Sequence, residues 1–366
     1  MLAMNEAAAR ILATAAPTPP ETLPLHDALD RFAATDVHAS VAVPPWDNSA
    51  MDGYAVRAVD TGPGASLALT GVVGAGSVGG PVGPGEAVAI MTGAPMPPGA
   101  DAVVIVEDTD GATEGRVTLT TAVSPDENVR REGGDLAHGD LVVAAGQRLT
   151  PARLGLLAAV GHADVQVRVR PRVAVLATGD EIVRPGQPLG PGQIHSSNPY
   201  ALVGLLRTLG ADATDLGDAP DDLEGLVALL QTALHHDAVV TTGGVSVGRF
   251  DLVKEAFARL GVDMAFWKVR MKPGKPLAFG TLRRGGHTTA LFGLPGNPVS
   301  CMVNTHVFVA PWIRACLGMA TPFPARVRAR MAGDLHERPG RAKLLRVTLE
   351  STPDGLLARS TGPQGS

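Results

Sequence analysis

Lysine is rare in this chain and concentrated in one stretch. Four of the five lysines lie between residues 254 and 275, and the segment Lys272–Pro276 carries two of them around a Pro-Gly pair. Lysine is a compact point charge that pairs with phosphate and other oxyanions, and the prolines stiffen the segment. This segment, the lysine turn, therefore predicts a site for a polyanionic substrate; a solvated basic face is the alternative.

Carboxylates form the complementary set. Asp180 and Glu181 follow an apolar run that ends at Thr178 and Gly179, and Asp251 follows a loop that contains Gly243 and Gly244. A single acidic residue after a strand is often only a helix cap. Together with the lysine turn, however, these carboxylates fit a magnesium site that neutralises a pyrophosphate, because Mg²⁺ takes few protein carboxylates plus phosphate oxygens. The paired glycines would let backbone N–H groups approach a phosphate.

Other polar or glycine-rich segments are weaker signals. Asp47–Tyr54, Met91–Pro95 and Gly133–Asp135 would each pass as turns. The string Gly74–Gly79 matches a dinucleotide-binding GxGxxG, but prolines follow where its helix would have to begin, so turns explain it better. From the residues alone, the chemistry is that of a phosphate ester or nucleotide with magnesium.

The elements that must position these groups alternate from Pro171 onward. Short apolar runs predict buried parallel strands, and the segments between them have helical periodicity. The predicted strands are Val173–Ala177, Ala238–Val240, Val262–Val269, Leu277–Phe279 and Ala290–Leu294. The predicted helices begin at Asn198 (as cap, with Pro199 in first position), Asp221, about Val253 and about Pro298. This alternation predicts a doubly wound, mainly parallel sheet whose ligand crevice lies at the carboxyl ends of its strands.

The whole chain therefore reads as a multidomain α/β protein. Residues 171–317 form the α/β domain, residues 44–130 an inserted β-rich domain, and residues 1–43 with 131–170 a discontinuous domain. Residues 318–366 carry short alternating segments typical of strands.

Composition excludes several classes of protein. The net charge of −5 argues against nucleic-acid binding, which needs a basic face. Cys301 and Cys316 have no CxxC partner, so we expect buried thiols rather than a disulfide or a thiolate metal site. The uncharged stretch 285–313 is interrupted by prolines, which disfavours a membrane span, and the N-terminus lacks a positively charged leader. We expect a cytoplasmic protein.

Taken together, the motifs resemble those of the bacterial molybdopterin molybdenumtransferases, a family that also includes the C-terminal half of the eukaryotic scaffold gephyrin. The resemblance spans nearly the whole chain in seven ordered motifs. They are Asp47–Tyr54, Met91–Pro95, Arg130–Asp135, Thr178–Glu181, Thr242–Gly248 with Asp251, Lys272–Pro276 and Leu294–Pro298.

The resemblance implies insertion of molybdate, as a substrate, into adenylylated molybdopterin with release of AMP, and Mg²⁺ as cofactor. It implies catalytic roles for Asp47, Thr92, Glu181, Asp251 and Lys275, and binding of Mg²⁺ or molybdate by Asp180, Glu181 and Asp251. The implied substrate-binding residues are Asp135, Thr178, Gly179, Asp180, Gly243, Gly244, Ser246, Gly248, Lys272, Pro295, Asn297 and Pro298.

The resemblance also implies an assembly. Family members are elongated homodimers, and the resemblance implies that Asp47 and Thr92 complete the site of the partner subunit. Family members also have a C-terminal β-barrel, which in this sequence would stop within Gly362–Ser366. Further implied partners are the upstream adenylyltransferase and the molybdoenzymes that accept the product. Two alternatives stay open: the preceding adenylylation of molybdopterin, which needs no segment such as Asp47–Tyr54, and a non-enzymatic dimeric scaffold of the same fold.

Overall fold

The computed structural model describes residues 1–219, 222–244, 252–334, 340–362 and 364. A mixed six-stranded sheet forms the centre of the α/β domain. Its strands are β1 (Arg172–Thr178), β2 (Asp212–Ala219), β3 (Ala238–Thr242), β4 (Asp263–Lys268), β5 (Pro276–Arg284) and β6 (His287–Leu294). Their order is β2-β1-β3-β6-β5-β4, and β5 alone runs against the others. The predicted mainly parallel sheet is confirmed.

Helices cover both faces of this sheet. They are α1 (Asn198–Thr208), α2 (Leu223–Ala233), α3 (Leu252–Leu260), α4 (Pro298–Asn304) and α5 (Ala310–Cys316), with a π-helical turn at Thr305–Val309 between α4 and α5. Alternate residues of β1 enter different cores: Val173 and Val175 pack with α1, α4 and α5, whereas Ala174 and Leu176 pack with α2 and α3. This period-two alternation between two helical layers is the doubly wound arrangement.

One local prediction was wrong. Asn198 is the first residue of α1 rather than its cap; the capping position is Ser197, whose side chain makes no capping hydrogen bond. The amide of Asn198 instead bonds to two neighbouring strand ends. At α2 the cap is Asp222, which accepts a hydrogen bond from Gly225 N–H, while the expected start at Asp221 lies outside the described residues.

The stretch 44–130 forms a second six-stranded sheet, as its composition predicts. Its strands are Gly53–Val56, Ser66–Val73, Glu86–Ile90, Ala102–Ile105, Thr109–Thr113 and Arg116–Leu119. Gly74–Gly79 is a turn that leads to the strand Glu86–Ile90 without a helix, which confirms that it is not a dinucleotide loop.

The flanking segments pair with each other. Strand Pro20–Pro24 is antiparallel to Asp164–Arg168, and Val37–His38 to Leu141–Val143, with helix Pro151–Ala159 on the same core. The N-terminal helix Met4–Leu12 is separate: Ala7, Ala8 and Ile11 belong to the core of the α/β domain, where the helix packs against α5.

The C-terminal part contains a three-stranded sheet of Arg330–Met331, Gly355–Ser360 and Val347–Thr352. The barrel that the resemblance implies stays a prediction. A two-residue strand, Ala342–Lys343, pairs with Met271–Lys272 at the lysine turn. Within the described residues, no helix has the length and apolar character needed to cross a membrane.

Candidate functional site

An open cleft lies at the carboxyl ends of β1, β3 and β6, where the sheet topology predicts a ligand. Its described walls include Thr178, Glu181, Asn198, Thr242, Gly296 and Pro298. All residues that line it lie between Ala177 and Pro298, so within the described chain this cleft belongs to the α/β domain alone.

The first wall is the segment that follows β1. Thr178 is 6% exposed, and its buried hydroxyl has no hydrogen-bond partner among the described residues. Gly179 has φ +135, and a Cβ there would lie 2.3 Å from Oε2 of Glu181. The Glu181 carboxylate is therefore folded back over the backbone of Gly179, while Asp180 and Glu181 both stay exposed. The positive φ of Gly179, which L side chains rarely adopt, favours glycine at this position.

The second wall is Thr242 at the end of β3, and the glycine loop begins directly after it, beside the lining residues. Gly243 and Gly244 have φ of +96 and +63, and a Cβ on Gly243 would meet the Thr178 carbonyl oxygen at 2.3 Å. A side chain at this position would thus separate the ends of β1 and β3. The rest of the loop, including the predicted Ser246, Gly248 and Asp251, lies outside the described residues.

The third wall is the turn after β6. Gly243 N–H donates to Leu294 O at 3.1 Å, and Gly296 lies against Gly243. Asn297 caps α4 by accepting a hydrogen bond from Ser300 N–H at 3.1 Å, and Pro298 is the first residue of the helix. The predicted Pro295, Asn297 and Pro298 are thereby placed at or beside the cleft by a strand-turn-helix unit.

Asn198 connects these walls. Its Nδ2 donates to Thr242 Oγ1 and to the Gly296 carbonyl oxygen, each at 2.7 Å. One amide at the start of α1 thus bonds to the ends of β3 and β6 and itself lines the cleft.

Helix α4 connects the cleft to the lysine turn. Pro298, at the start of α4, lines the cleft, and Asn304, its last residue, donates from Nδ2 to the Gly274 carbonyl oxygen at 3.2 Å. Lys272 and Lys275 are exposed and are not among the described residues that line the cleft. The structure therefore brings the turn to the far end of α4, rather than into the cleft wall.

A second cluster unites three motifs of the β-rich sheet and its flank. Strand Asn48–Ser49 pairs with Val129–Arg130, and Ser49 N–H donates to Ala94 O at 3.0 Å. Gly93 N–H donates to Ser49 O at 2.8 Å, and Asp135 N–H to Val43 O at 3.0 Å. The segments Asp47–Tyr54, Met91–Pro95 and Arg130–Asp135, each unremarkable alone, therefore meet in space.

Two carboxylates in this cluster are held by donors. Asp47 accepts a hydrogen bond from Glu132 N–H at 2.8 Å and an ion pair from Arg131, which together hold the pKa of Asp47 below its usual range. Asp52 Oδ1 accepts from Thr92 N–H at 2.7 Å and from the Thr92 hydroxyl at 2.8 Å, which lowers the pKa of Asp52.

Known proteins match the chain along its length. Residues 2–161 match the family "MoeA N-terminal region (domain I and II)", and residues 174–315 match "Probable molybdopterin binding domain". The molybdopterin molybdenumtransferase of Haemophilus influenzae is 38% identical over 100% of this chain and 91% of its own length. Molybdopterin molybdenumtransferase 2 of Mycobacterium tuberculosis is 39% identical over 95% and 87%. The chain belongs to the molybdopterin molybdenumtransferase family.

A solved relative supports this assignment. The crystal structure of a molybdopterin biosynthesis MoeA protein from Pyrococcus horikoshii aligns with TM-score 0.83 and 34% identity, over 99% of this chain and 90% of that one. The two family matches in this chain cover the clusters described above. The match to the N-terminal region contains the Asp47 and Asp52 cluster, and the match to the molybdopterin binding domain contains the cleft and the lysine turn.

Sequence reasoning missed several residues of these two sites in the family member. Asn198 was assigned to a helix cap, Arg131 lay inside the motif Arg130–Asp135 without a role of its own, and Asn304 lay outside every motif. Asp52 lay inside a recognised motif, but its hydrogen bonds to Thr92 depend on a contact across 40 residues. Cys301 and Cys316 are buried free thiols, as predicted, and burial raises their pKa values to about 11 and about 12.

Proposed function

We propose that this chain inserts molybdenum, delivered as molybdate, into adenylylated molybdopterin, in a magnesium-dependent reaction that releases AMP. The observation that carries the proposal is the cleft at the carboxyl ends of β1, β3 and β6, where Thr178–Glu181, the glycine loop and the turn at Gly296 meet. In a sheet of this kind, that edge is where a ligand binds. Membership of the molybdenumtransferase family supports the choice of substrate.

The donor set in the cleft fits a magnesium ion. Glu181 and Thr178 line the cleft and Asp180 is the exposed carboxylate next to Glu181; the buried Thr178 hydroxyl has no hydrogen-bond partner among the described residues. Mg²⁺ is bound by one or two carboxylates, with water and substrate phosphates completing the octahedron. We assign Glu181, Asp180 and Asp251 to the magnesium ion, of which Asp251 lies outside the described residues. The described residues by themselves contain no group of three or more His, Cys, Asp or Glu side chains suited to a metal. Bound Mg²⁺ supplies charge neutralisation at the phosphates.

Charge is the physical difficulty of this reaction, because molybdate, a pyrophosphate bridge and a dithiolate repel one another. Lys272 and Lys275 offer two exposed ammonium groups on a short segment. The backbone N–H of Gly243 already donates to Leu294 O, whereas that of Gly244 is a further donor at the end of β3. We propose that the ammonium groups and this further donor bind the substrate anions and that Pro295, Asn297 and Pro298 shape the side of the cleft where the pterin lies.

We further propose that the active enzyme is a homodimer. The Asp47 and Asp52 cluster takes no part in the described cleft wall of its own chain, yet it holds ionised carboxylates beside the exposed side chains Trp46, Met51 and Met91. Exposed apolar residues around a polar cluster are typical of an interaction surface. In this arrangement Asp47, Thr92 and Asp135 would complete the cleft of the partner subunit.

The reaction itself is tested with purified protein. Supplied with adenylylated molybdopterin, Mg²⁺ and molybdate, the chain is expected to release AMP, and removal of Mg²⁺ is expected to stop the release. The competing adenylyltransferase function predicts instead that molybdopterin and ATP are consumed and pyrophosphate is released. Pyrophosphate from ATP, without AMP release from the adenylylated substrate, would overturn the proposed order.

The composite site is tested by mixing inactive variants. Asp47→Ala and Glu181→Ala are each expected to lose activity as homodimers. When the two are unfolded and refolded together, mixed dimers would contain one intact site and regain up to about a quarter of wild-type activity if both variants assemble at random. No recovery, with mixed dimers demonstrated by differential tags, would place both residues in the site of a single chain.

A scaffold without catalysis is the remaining alternative. Expressed in a cofactor-deficient strain, Glu181→Ala should fail to restore molybdoenzyme activity while sedimenting as the wild type does. Normal cofactor levels in that strain would favour the scaffold. The proposal also assigns the chain to the cytoplasm, between the upstream adenylyltransferase and the molybdoenzymes that accept its product, with no role for nucleic acid or a membrane.

A further inference from the structure

Asn304 is wholly buried at the end of α4 and has one hydrogen-bonding role outside its own helix. Its Nδ2 donates to the Gly274 carbonyl oxygen at 3.2 Å and to the Ser300 carbonyl oxygen, one helical turn earlier, at 3.0 Å. Gly274 is the central glycine of the lysine turn, between Lys272 and Lys275. Among the described residues, Asn304 is the side chain that bonds to the tip of this turn.

The contact is tight on both sides. Gly274 has φ +90, and a Cβ there would lie 2.7 Å from Asn304 Nδ2 and 3.1 Å from Cγ. The amide plane therefore lies directly against the backbone of the turn, where only glycine leaves enough room. The base of the turn is held separately, by Val269 N–H donating to Lys275 O and Leu344 N–H donating to Lys272 O.

The two polar atoms of the Asn304 amide are satisfied unequally. Asn304 Oδ1 is buried without a hydrogen-bond partner among the described residues, which disfavours the folded state. Nδ2 satisfies the Gly274 and Ser300 carbonyl oxygens, so the favourable contribution of this amide is its hold on the turn and on its own helix. The helix also changes geometry immediately afterwards, at the π-helical turn Thr305–Val309. Such turns occur frequently at functional sites.

We propose that Asn304 is a positioning residue that fixes the two lysines of the turn relative to the cleft. The inference rests on the proposed function, in which those lysines bind the substrate anions. Helix α4 is a rigid spacer of about 10 Å, from its seven residues at 1.5 Å rise each. Pro298 at one end lines the cleft, and Asn304 at the other holds Gly274. Charges act most strongly on a bound anion when the protein has oriented them beforehand.

The test measures binding of inorganic pyrophosphate by calorimetry, without turnover, at two salt concentrations. Lys272→Met and Lys275→Met should each weaken binding and reduce its salt dependence. Asn304→Leu, which keeps the volume and removes the donor, should weaken binding about tenfold and also flatten the salt dependence, since the lysines are no longer held in place. Combined with Lys272→Met and Lys275→Met, Asn304→Leu should add little further loss, because residues that act as one unit are not additive.

Thr289→Val is the matched control. Thr289 is equally buried in the same domain and bonds to the Leu234 and His236 carbonyl oxygens, near the opposite end of the sheet. The Thr289→Val variant should have a lower free energy of unfolding than the wild type but the same affinity for pyrophosphate. Gly274→Ala tests the same contact from the other side, and Asn304→Ala replaces Asn304→Leu if the latter does not fold.

The outcomes separate the two claims. Wild-type affinity in Asn304→Leu and Gly274→Ala, with weakened binding in the lysine variants, overturns the positioning role and leaves the proposed function intact. Wild-type affinity in the lysine variants removes the lysine turn from the proposed function, and the positioning role with it. Full additivity of Asn304→Leu with the lysine variants would assign Asn304 a purely structural role.

Discussion

Asn198 and Gly296 are 98 residues apart in sequence, yet the Asn198 amide nitrogen lies 2.7 Å from the Gly296 carbonyl oxygen. The same nitrogen donates to the Thr242 hydroxyl, and that hydroxyl in turn donates to the Pro295 carbonyl oxygen at 3.5 Å. A side chain from α1 thus adds a bridge between the end of β3 and the turn after β6, two segments that also bond directly through Gly243 N–H and Leu294 O. This bridge forms one corner of the cleft.

Replacing Asn198 with Ala should widen that corner. Two hydrogen bonds are lost, each contributing about 1 kcal/mol net, so the free energy of unfolding should fall by about 1–3 kcal/mol. AMP release should fall by about tenfold or more, because small displacements of binding groups are costly in catalysis. Thr208→Ala, at the far end of the same helix, is the control and should retain activity. Wild-type kinetics in Asn198→Ala would show that the corner does not depend on this amide.

Gly243 should not tolerate a side chain. In Gly243→Ala, the new Cβ would meet the Thr178 carbonyl oxygen at 2.3 Å, and φ is +96. Backbone strain of this kind destabilises by more than about 1 kcal/mol, and the ends of β1 and β3 should separate with loss of substrate binding. Gly204→Ala is the matched control: it lies within α1, with nothing within 4 Å of the added Cβ. That variant should be more stable by about 0.5–1 kcal/mol, as measured by urea unfolding. Equal effects of the two substitutions would contradict the close approach.

Replacing Thr178 with Val should affect protein stability and substrate binding in opposite directions. The buried Thr178 hydroxyl has no hydrogen-bond partner within the part of the chain that the structure describes, so Thr178→Val should leave the free energy of unfolding unchanged or raise it by about 1 kcal/mol. If the hydroxyl contacts substrate or a bound ion, KM for adenylylated molybdopterin should rise several-fold. Thr241 offers the control, because its hydroxyl is also buried and has no partner in the described ranges, but it does not line the cleft. Thr241→Val should change the free energy of unfolding as Thr178→Val does and should leave KM unchanged. If KM rises equally in both variants, the Thr178 hydroxyl has no specific role in binding.

Local patterns were sufficient for the layers of the α/β domain but insufficient for its contacts. Apolar runs such as Val173–Ala177 predict buried strands because their periodicity is set by the residues themselves, and these strands were found. The hydrogen bonds of Asn198 were mistaken for a helix cap because an Asn-Pro pair is a common helix start. The ion pair of Asp47 with Arg131 joins residues 84 apart, which no local pattern contains. The layers of the α/β domain were thus predictable from the sequence, whereas the residues that hold the site together depend on long-range packing.

Thr92 should control the charge of Asp52 at low pH. Because the Thr92 N–H and hydroxyl both bond to the ionised carboxylate, the folded-state pKa of Asp52 is lowered, with the backbone N–H as the larger cause. The stabilisation is complete above the unfolded-state pKa of about 4 and is lost as pH falls through the lower folded-state value. Thr92→Val removes the hydroxyl and keeps the N–H, so the pKa of Asp52 should rise part of the way toward its ordinary value. Carboxyl-carbon NMR titration measures it, with Thr121→Val, a half-buried threonine of the same domain, as control. An unchanged titration of Asp52 in Thr92→Val would mean that the hydroxyl does not bind the carboxylate in solution.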